Sequence, residues 1–425
     1  MGFVSNDGGA QQLFYTRVMS PSACSESSSA SPPQAAYFIV LAGVCAALHV
    51  WKLPPALPEL QQELGLNLVR SGFMLSLVQL FGMVAGMAVG LFAVRIGLRR
   101  SVLWGLTLLA LCSALGTFAR SEGVMLVFRA IEGCAFLMVA MPAPGLIRQT
   151  VHPAYLNRVL SVWGAYLPTG TALILLFGSW ILVFTSWRVL WWGLSALTVF
   201  IWWLAWTYIP ADTVMITSSR RQDAADRFRW WDLIKVTLTS QNVWLMALCF
   251  AAYTFQWATV IGFLPTIYNE NGISGLLSGV LTGIAAAANI VGNVLAGYFL
   301  HRGVRAAMLL ITGFLVMEAC VLITFSPDVS PVFQYGAVLL FSGVGGLIPG
   351  TLFTLAVSCA PSTQTIPSTV GWMQQCNAFG QFVGPPLVAG VVMWAGNWQW
   401  TGLVTGVCMV LGVWFSWRLG ARIPG

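Results

Sequence analysis

The sequence predicts an all-α membrane protein with twelve transmembrane helices in two pseudo-symmetric six-helix bundles. Three observations predict it: the 425-residue chain is 58% hydrophobic and only 8% charged, it contains twelve apolar runs of bilayer-spanning length, and features of its first half recur in its second. Soluble domains carry about 25% charged residues, so the composition excludes a cytosolic enzyme, a nucleic-acid-binding protein and a disordered scaffold. Because backbone groups find no water in the hydrocarbon core, the apolar runs must be helices.

The predicted spans have roughly the 20 residues that a helix needs to cross the hydrocarbon core. Their bounds are 36–57, 71–94, 101–119, 123–147, 159–184, 189–208, 243–268, 275–300, 306–325, 332–357, 368–394 and 400–419. A transmembrane β-barrel would instead require short segments of alternating polarity, which these runs lack.

Basic residues fall unequally on the two sides that these spans define. If the N-terminus is cytoplasmic, the inner side holds fifteen Lys and Arg residues and the outer side holds four, with Arg129 inside a span. Cytoplasmic loops of membrane proteins carry an excess of Lys and Arg. We therefore expect a multi-pass protein of the cell membrane, of the bacterial inner-membrane type, with both termini cytoplasmic.

Polar stretches divide the chain into four predicted segments: a disordered cytoplasmic tail at 1–35, a bundle at 36–209, a cytoplasmic linker at 210–242, and a second bundle with a short tail at 243–425. The tail lacks the basic start and apolar core of a secretory signal. Trp230 and Trp231 in the linker predict an amphipathic segment at the membrane surface. The nine Cys form no C-x-x-C pair and the three His are scattered, so we expect no metal site and no cofactor.

The two halves share a spaced motif after their second spans. Gly90 precedes Arg95 by five positions and Gly297 precedes Arg302 by five, an offset of 207 residues between the halves. The Trp residues before the sixth and twelfth spans are 211 residues apart. Such offsets indicate a duplicated six-span unit, which many transporters use to expose one site alternately to the two sides of the membrane.

Residues 90–100 resemble the loop motif between the second and third helices of the major facilitator superfamily. The matching residues are Arg95, Gly97, Arg99 and Arg100. Val94 stands where the motif carries an acidic residue, which puts in doubt the inter-helix ion pair thought to steady the outward-facing state in that superfamily. Weaker resemblances to its fourth-helix and fifth-helix motifs lie at Arg129, Glu132 and Gly133, and at Gly164, Pro168 and Gly170. In general pattern the chain is most similar to the cyanate and 2-nitroimidazole permease branch.

This resemblance implies the major facilitator fold and transport by alternating access. It also implies that the two corresponding loops act in gating, through Gly90, Arg95, Gly97, Arg99, Arg100, Gly297, Arg302 and Gly303. The alternative is that these loops are basic only because they are cytoplasmic, with no conformational role.

Four ionisable residues are predicted to form a substrate site. Arg129 lies inside the fourth span with Glu132 three residues further on, and His49 and Lys52 have the same spacing in the first span. At 1.5 Å per residue, Arg129 lies ~9 Å and Lys52 ~7.5 Å from the predicted outer helix ends. The alternatives are that Lys52 extends to the outer headgroups and that Arg129 and Glu132 satisfy each other.

Uncharged polar residues form a second set of predicted substrate contacts. Spacings of three and four place the amides of the eleventh span on one face, and amides in lipid are costly, so this face points into the bundle or a cavity. The set is Tyr166, Tyr253, Gln256, Trp257, Gln374, Asn377 and Gln381. The alternative is hydrogen bonding between helices. Glu318, alone in the ninth span, is expected to have a structural partner or to be protonated, and the alternative is a role in coupling.

The predicted function is secondary active transport of a small organic or inorganic solute, expected to be an anion because Arg129 and Lys52 outweigh Glu132. A coupled proton, carried by Glu132, remains open. The alternatives are a transporter of a neutral or drug-like solute of the efflux type, a channel, and a non-transporting membrane sensor. The sequence has no Walker motif and no catalytic constellation, so we expect no enzyme. The expected partners are the solute and the bilayer, without nucleic acid, and the expected state is a monomer.

Overall fold

The computed structural model describes residues 34–151, 159, 162–211, 223–273, 275–362 and 365–422. Every regular element in this part of the chain is helical. Twelve of its helical segments are long and apolar enough to cross a membrane. The predicted fold class is therefore confirmed. Most of the predicted tail and residues 212–222 of the predicted linker lie outside the described residues.

The twelve spans, numbered in chain order, have the following bounds. They are Ala35–Leu64, Leu68–Gly86, Leu98–Gly116, Glu122–Thr150, Tyr166–Phe184, Trp187–Tyr208, Gln241–Glu270, Gly275–His301, Ala306–Thr324, Pro331–Ala356, Ser368–Ala395 and Trp398–Gly420. Spans 1 to 6 form the N half and spans 7 to 12 form the C half. A further helix, Asp223–Thr239, lies between the halves in sequence and contains the predicted Trp pair.

Successive spans run antiparallel, so the two ends of the described chain lie on one side of the molecule. We call this the terminal side, and we call the opposite side, which carries the connections after odd-numbered spans, the far side. The positive-inside argument identifies the terminal side with the cytoplasm, and this orientation stays a prediction.

Three spans are broken by proline or glycine. Span 1 consists of helices Gln34–Trp51 and Leu53–Leu64, with the break at Lys52, two residues before Pro54 and Pro55 begin. Span 4 is divided into Glu122–Ala140 and Ala143–Thr150, and span 10 into Pro331–Gly345 and Leu347–Cys359. A proline has no N–H, so it leaves the carbonyl four residues earlier without its helix partner. By contrast, helices Gln241–Glu270 and Ile366–Ala395 continue through internal prolines.

Span 1 extends seven residues beyond its predicted end at residue 57. Hydropathy ended the span where Glu59 and Glu63 appear, but the helix continues amphipathically to Leu64 and ends at Gly65 in the left-handed conformation. Lys52 is therefore twelve residues, or ~18 Å, inside its helix end rather than ~7.5 Å. The predicted depth of Lys52 was wrong for this reason.

Small residues bring the two halves together on the far side. A Cβ on Gly72 of span 2 would lie 2.7 Å from Pro386 of span 11, and a Cβ on Gly279 of span 8 would lie 2.0 Å from the Cβ of Ser179 in span 5. Further toward the terminal side, a Cβ on Gly82 would lie 2.8 Å from Ala378. These close approaches explain the small residues that the sequence repeats at helical spacing in spans 2 and 8.

Candidate substrate site between the two halves

The four predicted charged-site residues lie together inside the N half. Lys52 Nζ donates to Glu132 Oε1 over 2.5 Å, and Arg129 Nη1 donates to Glu132 Oε2 over 2.8 Å. All four side chains are buried, His49, Lys52 and Arg129 at 0% exposure and Glu132 at 1%. One carboxylate therefore binds two cationic groups away from solvent.

Arg129 also completes the broken helix of span 1. Its Nη1 donates to the His49 carbonyl over 2.8 Å and its Nη2 donates to the Val50 carbonyl over 2.9 Å. The Val50 carbonyl is the one that would pair with the N–H of residue 54, which Pro54 does not have. The guanidinium thus satisfies backbone groups that would be costly to leave unpaired in a membrane.

The remaining partners of the cluster come from spans 3 and 6. Lys52 Nζ donates to Ser113 Oγ over 3.1 Å and lies 4.4 Å from the ring centroid of Trp191. His49 Nε2 lies 2.7 Å from Thr198 Oγ1. The cluster therefore contacts spans 3, 4 and 6 of its own half. Sequence reasoning missed these three partners, since one Ser, one Trp and one Thr in apolar runs give no distinguishing signal.

The polar face of span 11 reaches the interface between the halves. Asn377 Nδ2 donates to Gln374 Oε1 over 3.2 Å, and Gln381 Nε2 donates to Asn377 Oδ1 over 3.0 Å. Gln79 of span 2 then donates across the interface to Gln381 Oε1 over 2.9 Å. Sequence reasoning missed Gln79, because an isolated Gln in an apolar span does not reveal its partner. We call these four side chains the amide chain.

A small cavity lies beside the amide chain at the same interface. It is lined by Val50, Trp51 and Pro54 of span 1, by Leu75, Val78 and Gln79 of span 2, by Ala258 and Gly262 of span 7, and by Gln381 and Pro385 of span 11. Its volume of about 20 Å³ is enough for about one water molecule. Span 1 thus presents different residues to its two sides: Val50 and Trp51 to the C half, and His49 and Lys52 to the N half.

Aromatic residues from both halves flank this interface. Trp51 meets Trp257 of span 7 edge to face, with ring centroids 5.1 Å apart. Tyr166 of span 5, the other predicted aromatic contact, is half-buried and stacks on Trp163 within the N half, with centroids 4.2 Å apart. Edge-to-face and stacked rings are the favoured aromatic geometries. The interface therefore combines flat apolar surfaces with amide donors and acceptors.

Two of the three predicted residues of span 7, Tyr253 and Trp257, take part in a neutral network inside the C half. Asn289 of span 8 donates to the Tyr253 hydroxyl over 2.8 Å and to the Ser342 carbonyl over 3.0 Å. Trp257 Nε1 donates to Ser342 Oγ over 3.0 Å. Gln256 is fully buried, and neither atom of its amide has a partner among the described residues.

The predicted gating loops contain two glycines in the left-handed region. Gly97 has φ 108° and Gly303 has φ 82°, conformations that side-chain-bearing residues rarely adopt. Arg99 Nη2 donates to the Trp206 carbonyl over 2.7 Å and stacks on that ring, while Arg302 lies over the ring of Tyr298. A Cβ at Gly297 would meet nothing within 4 Å.

Of the remaining loop residues, Gly90 and the side chain of Arg95 lie outside the described part of the structure, and Arg100 is exposed. The gating role of both loops stays a prediction.

Residues 39–385 match the family model described as Major Facilitator Superfamily. The chain belongs to the Major Facilitator Superfamily. It is therefore a multi-pass membrane protein of a transporter family rather than of an enzyme family. The predicted resemblance to this superfamily is confirmed, whereas the finer resemblance to the cyanate and 2-nitroimidazole permease branch receives no support from the comparisons.

Solved structures of the superfamily share this fold. One is a bacterial homologue of the human lysosomal transporter Spinster, in an inward-facing and unoccupied conformation, with a TM-score of 0.74 and 13% identity over 91% of this chain and 96% of that chain. Another is a D-xylose–proton symporter, with a TM-score of 0.71 and 14% identity over 92% of this chain and 97% of that chain.

One curated relative resembles part of this superfamily member. It is the tetracenomycin C resistance and export protein of Streptomyces glaucescens, 25% identical over 181 residues. The match spans 40% of this chain and only 30% of that protein's length.

Proposed function

We propose that this superfamily member is a secondary active transporter of an uncharged organic solute with aromatic character, bound between the two halves and moved by alternating access. The observation that carries the proposal is the contrast between the two sets of polar residues. The amide chain lies at the interface between the halves, whereas the buried cations Lys52 and Arg129 are paired within the N half.

The pairing of these cations favours an uncharged solute over the anion that the sequence suggested. Arg129 already donates to two carbonyls and a carboxylate, and Lys52 contacts Glu132, Ser113 and the Trp191 ring. An anion would have to displace these partners, and breaking a buried ion pair leaves an uncompensated charge. The anion remains the second candidate because the cluster has two cationic groups for one carboxylate.

The interface offers the chemistry that an uncharged aromatic solute needs. Binding pockets for small molecules are mostly apolar, with a few placed polar groups that fix orientation. Trp51 and Trp257 supply ring surfaces, and the amides of Gln374 and Asn377 supply both donors and acceptors. The curated relative is a resistance and export protein, which supports export as the direction of transport.

The far-side contacts between the halves support alternating access. Gly72 approaches Pro386, and Gly279 approaches Ser179, so the halves touch near the far side. The Spinster homologue that this fold matches is in an inward-facing conformation. With the terminal side cytoplasmic, as the basic residues predict, contact near the far side is what an inward-facing state requires.

A thermal-shift screen of the purified protein tests the proposal, since a ligand that binds the folded state stabilises it. The probes are 1-naphthol and chloramphenicol as neutral aromatics, 1-naphthoate as the matched anion, and nitrate and cyanate as small anions. We expect the neutral aromatics to stabilise the wild type and Lys52→Gln, and to lose their effect in Asn377→Leu. Asn293→Ala removes an amide of span 8 that is not part of the amide chain, and it should keep the ligand shift.

The opposite pattern would support the anion. If only 1-naphthoate, nitrate or cyanate stabilise the protein, and Arg129→Lys abolishes their effect, the charged cluster is the binding site. A probe that binds but is not accumulated by proteoliposomes under an imposed proton gradient would instead favour the non-transporting sensor.

A further inference from the structure

Glu318 is a buried acid that neither the fold nor the proposed site uses. It lies in span 9, six residues or ~9 Å from the far-side end at Thr324, and is 6% exposed. Its carboxyl lies over two glycines of span 12: a Cβ built on Gly406 would be 3.3 Å from Glu318 Oε1, and one built on Gly402 would be 3.8 Å away. The carboxyl therefore occupies space that any larger residue at Gly406 would narrow.

No cation compensates this carboxyl within the described part of the chain. The four ion pairs found there do not include Glu318. Span 10, which packs on span 9, has no Asp, Glu, Lys, Arg or His, and its only titratable group is Tyr335. Span 12 offers the Cys408 thiol nearby, and its one charged residue, Arg418, is thirteen residues or ~20 Å beyond Thr405. An unpaired carboxylate in such surroundings is strongly disfavoured.

One oxygen of the Glu318 carboxyl has no hydrogen-bond partner. Glu318 Oε2 is buried and meets no donor or acceptor among the described residues. With no cation nearby and one oxygen unpartnered, the uncharged carboxylic acid is the form of this buried group that costs least.

Glu132 shows the opposite environment. Its two oxygens accept from Lys52 and Arg129, at 2.5 and 2.8 Å. Of the two buried acids in the described spans, Glu132 therefore has two cationic partners and Glu318 has none.

We propose that the contact between spans 9 and 12 is a proton-binding site, with the proton on Glu318, and that far-side pH acts on the transporter through this acid rather than through Glu132. The part that concerns transport rests on the proposed function. Loss of the proton would place a charge against Gly402 and Gly406, and the carboxylate would need water or new donors. Spans 9 and 12 would then separate near the far side.

Infrared spectroscopy of the full-length protein in lipid tests the protonation without a substrate. The probe is the proton alone, supplied by titrating the buffer. At neutral pH we expect the wild type to show the carbonyl stretch of a protonated carboxylic acid, shifted in D2O, and Glu318→Gln to lack it. Glu122→Gln, which removes a partly exposed carboxylate paired with Arg70, should keep the band. Absence of the band from the wild type, or its persistence in Glu318→Gln, would overturn the proposal.

Two further measurements test the proposal, the first of them without changing Glu318. Gly406→Ala keeps the acid and places a methyl group 3.3 Å from Glu318 Oε1, so the band should change frequency. The folded state holds a proton that an unfolded chain releases above a pKa of about 4.3, so the stability should fall as pH rises from that value until Glu318 loses its proton. An unshifted band in Gly406→Ala, or the same pH dependence of stability in the wild type and Glu318→Gln, would contradict the proposal.

Proteoliposome transport separates this inference from the proposed function. We expect the uptake of 1-naphthol to depend on the pH of the far-side solution in the wild type and to lose that dependence in Glu318→Gln. Transport that is equally pH-dependent in both would overturn the role of Glu318 and leave the proposed function intact. If neither protein transports any probe, the proposed function fails, and the infrared band still decides whether Glu318 binds a proton.

Discussion

Span 1 is the first helix of the N half and span 7 is the first helix of the C half, yet their middle turns are stabilised in different ways. Span 1 is broken at Lys52 and surrounded by two cations and a carboxylate, whereas span 7 is one helix from Gln241 to Glu270 with neutral partners. The difference begins with backbone chemistry. Pro54 and Pro55 release two carbonyls at one point, so span 1 needs donors from outside its own helix.

The charged cluster meets part of this need. Arg129 supplies two N–H groups in a planar fork that reaches the Val50 carbonyl, which Pro54 leaves without a partner, and the neighbouring His49 carbonyl. A guanidinium in the membrane in turn needs a carboxylate, and Glu132 lies three residues further on the same helix. Span 7 has one proline, Pro265, nearer its far-side end, and Tyr253 and Trp257 in its middle turns bond the neutral residues Asn289 and Ser342. A charged residue inside a span can therefore serve the backbone as well as a ligand.

The largest expected effect comes from removing the carboxylate of the N half. Glu132→Gln leaves Lys52 and Arg129 buried without an anion, and breaking a buried pair in this way costs about 3–5 kcal/mol. We expect much less folded protein after detergent extraction, with a lower melting temperature in the remainder. If Glu132→Gln lowers the melting temperature no more than Asn289→Ala does in the C half, the charged cluster and the neutral network do not differ in their contribution to stability.

A double-mutant cycle tests whether Arg129 serves the broken helix. Arg129→Gln should destabilise the wild type strongly, because two carbonyls and Glu132 lose their donor. Pro54→Ala restores an N–H for the Val50 carbonyl, so Arg129→Gln should be less harmful in that background. We expect a coupling of about 1–2 kcal/mol, within the range of directly interacting residues, measured from thermal melts of the four proteins. Strict additivity would show that the guanidinium and the proline act independently.

The sequence predicted which residues form the charged cluster, but it did not predict that they face the inside of the N half. The three-residue spacings of His49 with Lys52 and of Arg129 with Glu132 place each pair on one helix face, and these faces do meet. The rotation of span 1 about its axis depends on packing against spans 3 and 6, which no local pattern encodes. The doubled proline after Lys52 was the available signal for a broken helix and its need for donors.

The span boundaries show a similar limit. Hydropathy found all twelve spans because burial in lipid requires long apolar runs. It ended span 1 too early because an amphipathic helix end that packs on protein does not read as apolar. Gln79 was missed because its partner, Gln381, is 302 residues away in sequence.

A smaller effect is expected in the C half. Tyr253→Phe removes the hydroxyl that accepts from Asn289, while Asn289 keeps its bond to the Ser342 carbonyl. Because one neutral hydrogen bond is lost and no charge is left unpaired, we expect a loss of about 1 kcal/mol, read as a small fall in melting temperature. A loss as large as that of Glu132→Gln would mean that the neutral network carries as much stability as the charged cluster.

The smallest effect on stability, and the one most specific to transport, is expected where the halves meet. Gln79→Leu removes the hydrogen bond to Gln381 but keeps both halves internally intact, so the melting temperature should change little. Interhelical hydrogen bonds in membranes contribute about 0.6–1 kcal/mol, which would shift the balance toward the state open to the far side roughly three- to fivefold. Leu75 lines the small cavity at this interface, and Leu75→Cys would report that opening through its rate of labelling by a membrane-impermeant maleimide.

The matched control is Gln334→Leu, which removes a far-side amide that bonds Ser326 within the C half and should leave the labelling rate unchanged. If both variants accelerate labelling equally, the bond between Gln79 and Gln381 does not hold the halves together, and the small-residue contacts at Gly72 and Gly279 would be sufficient to close the far side.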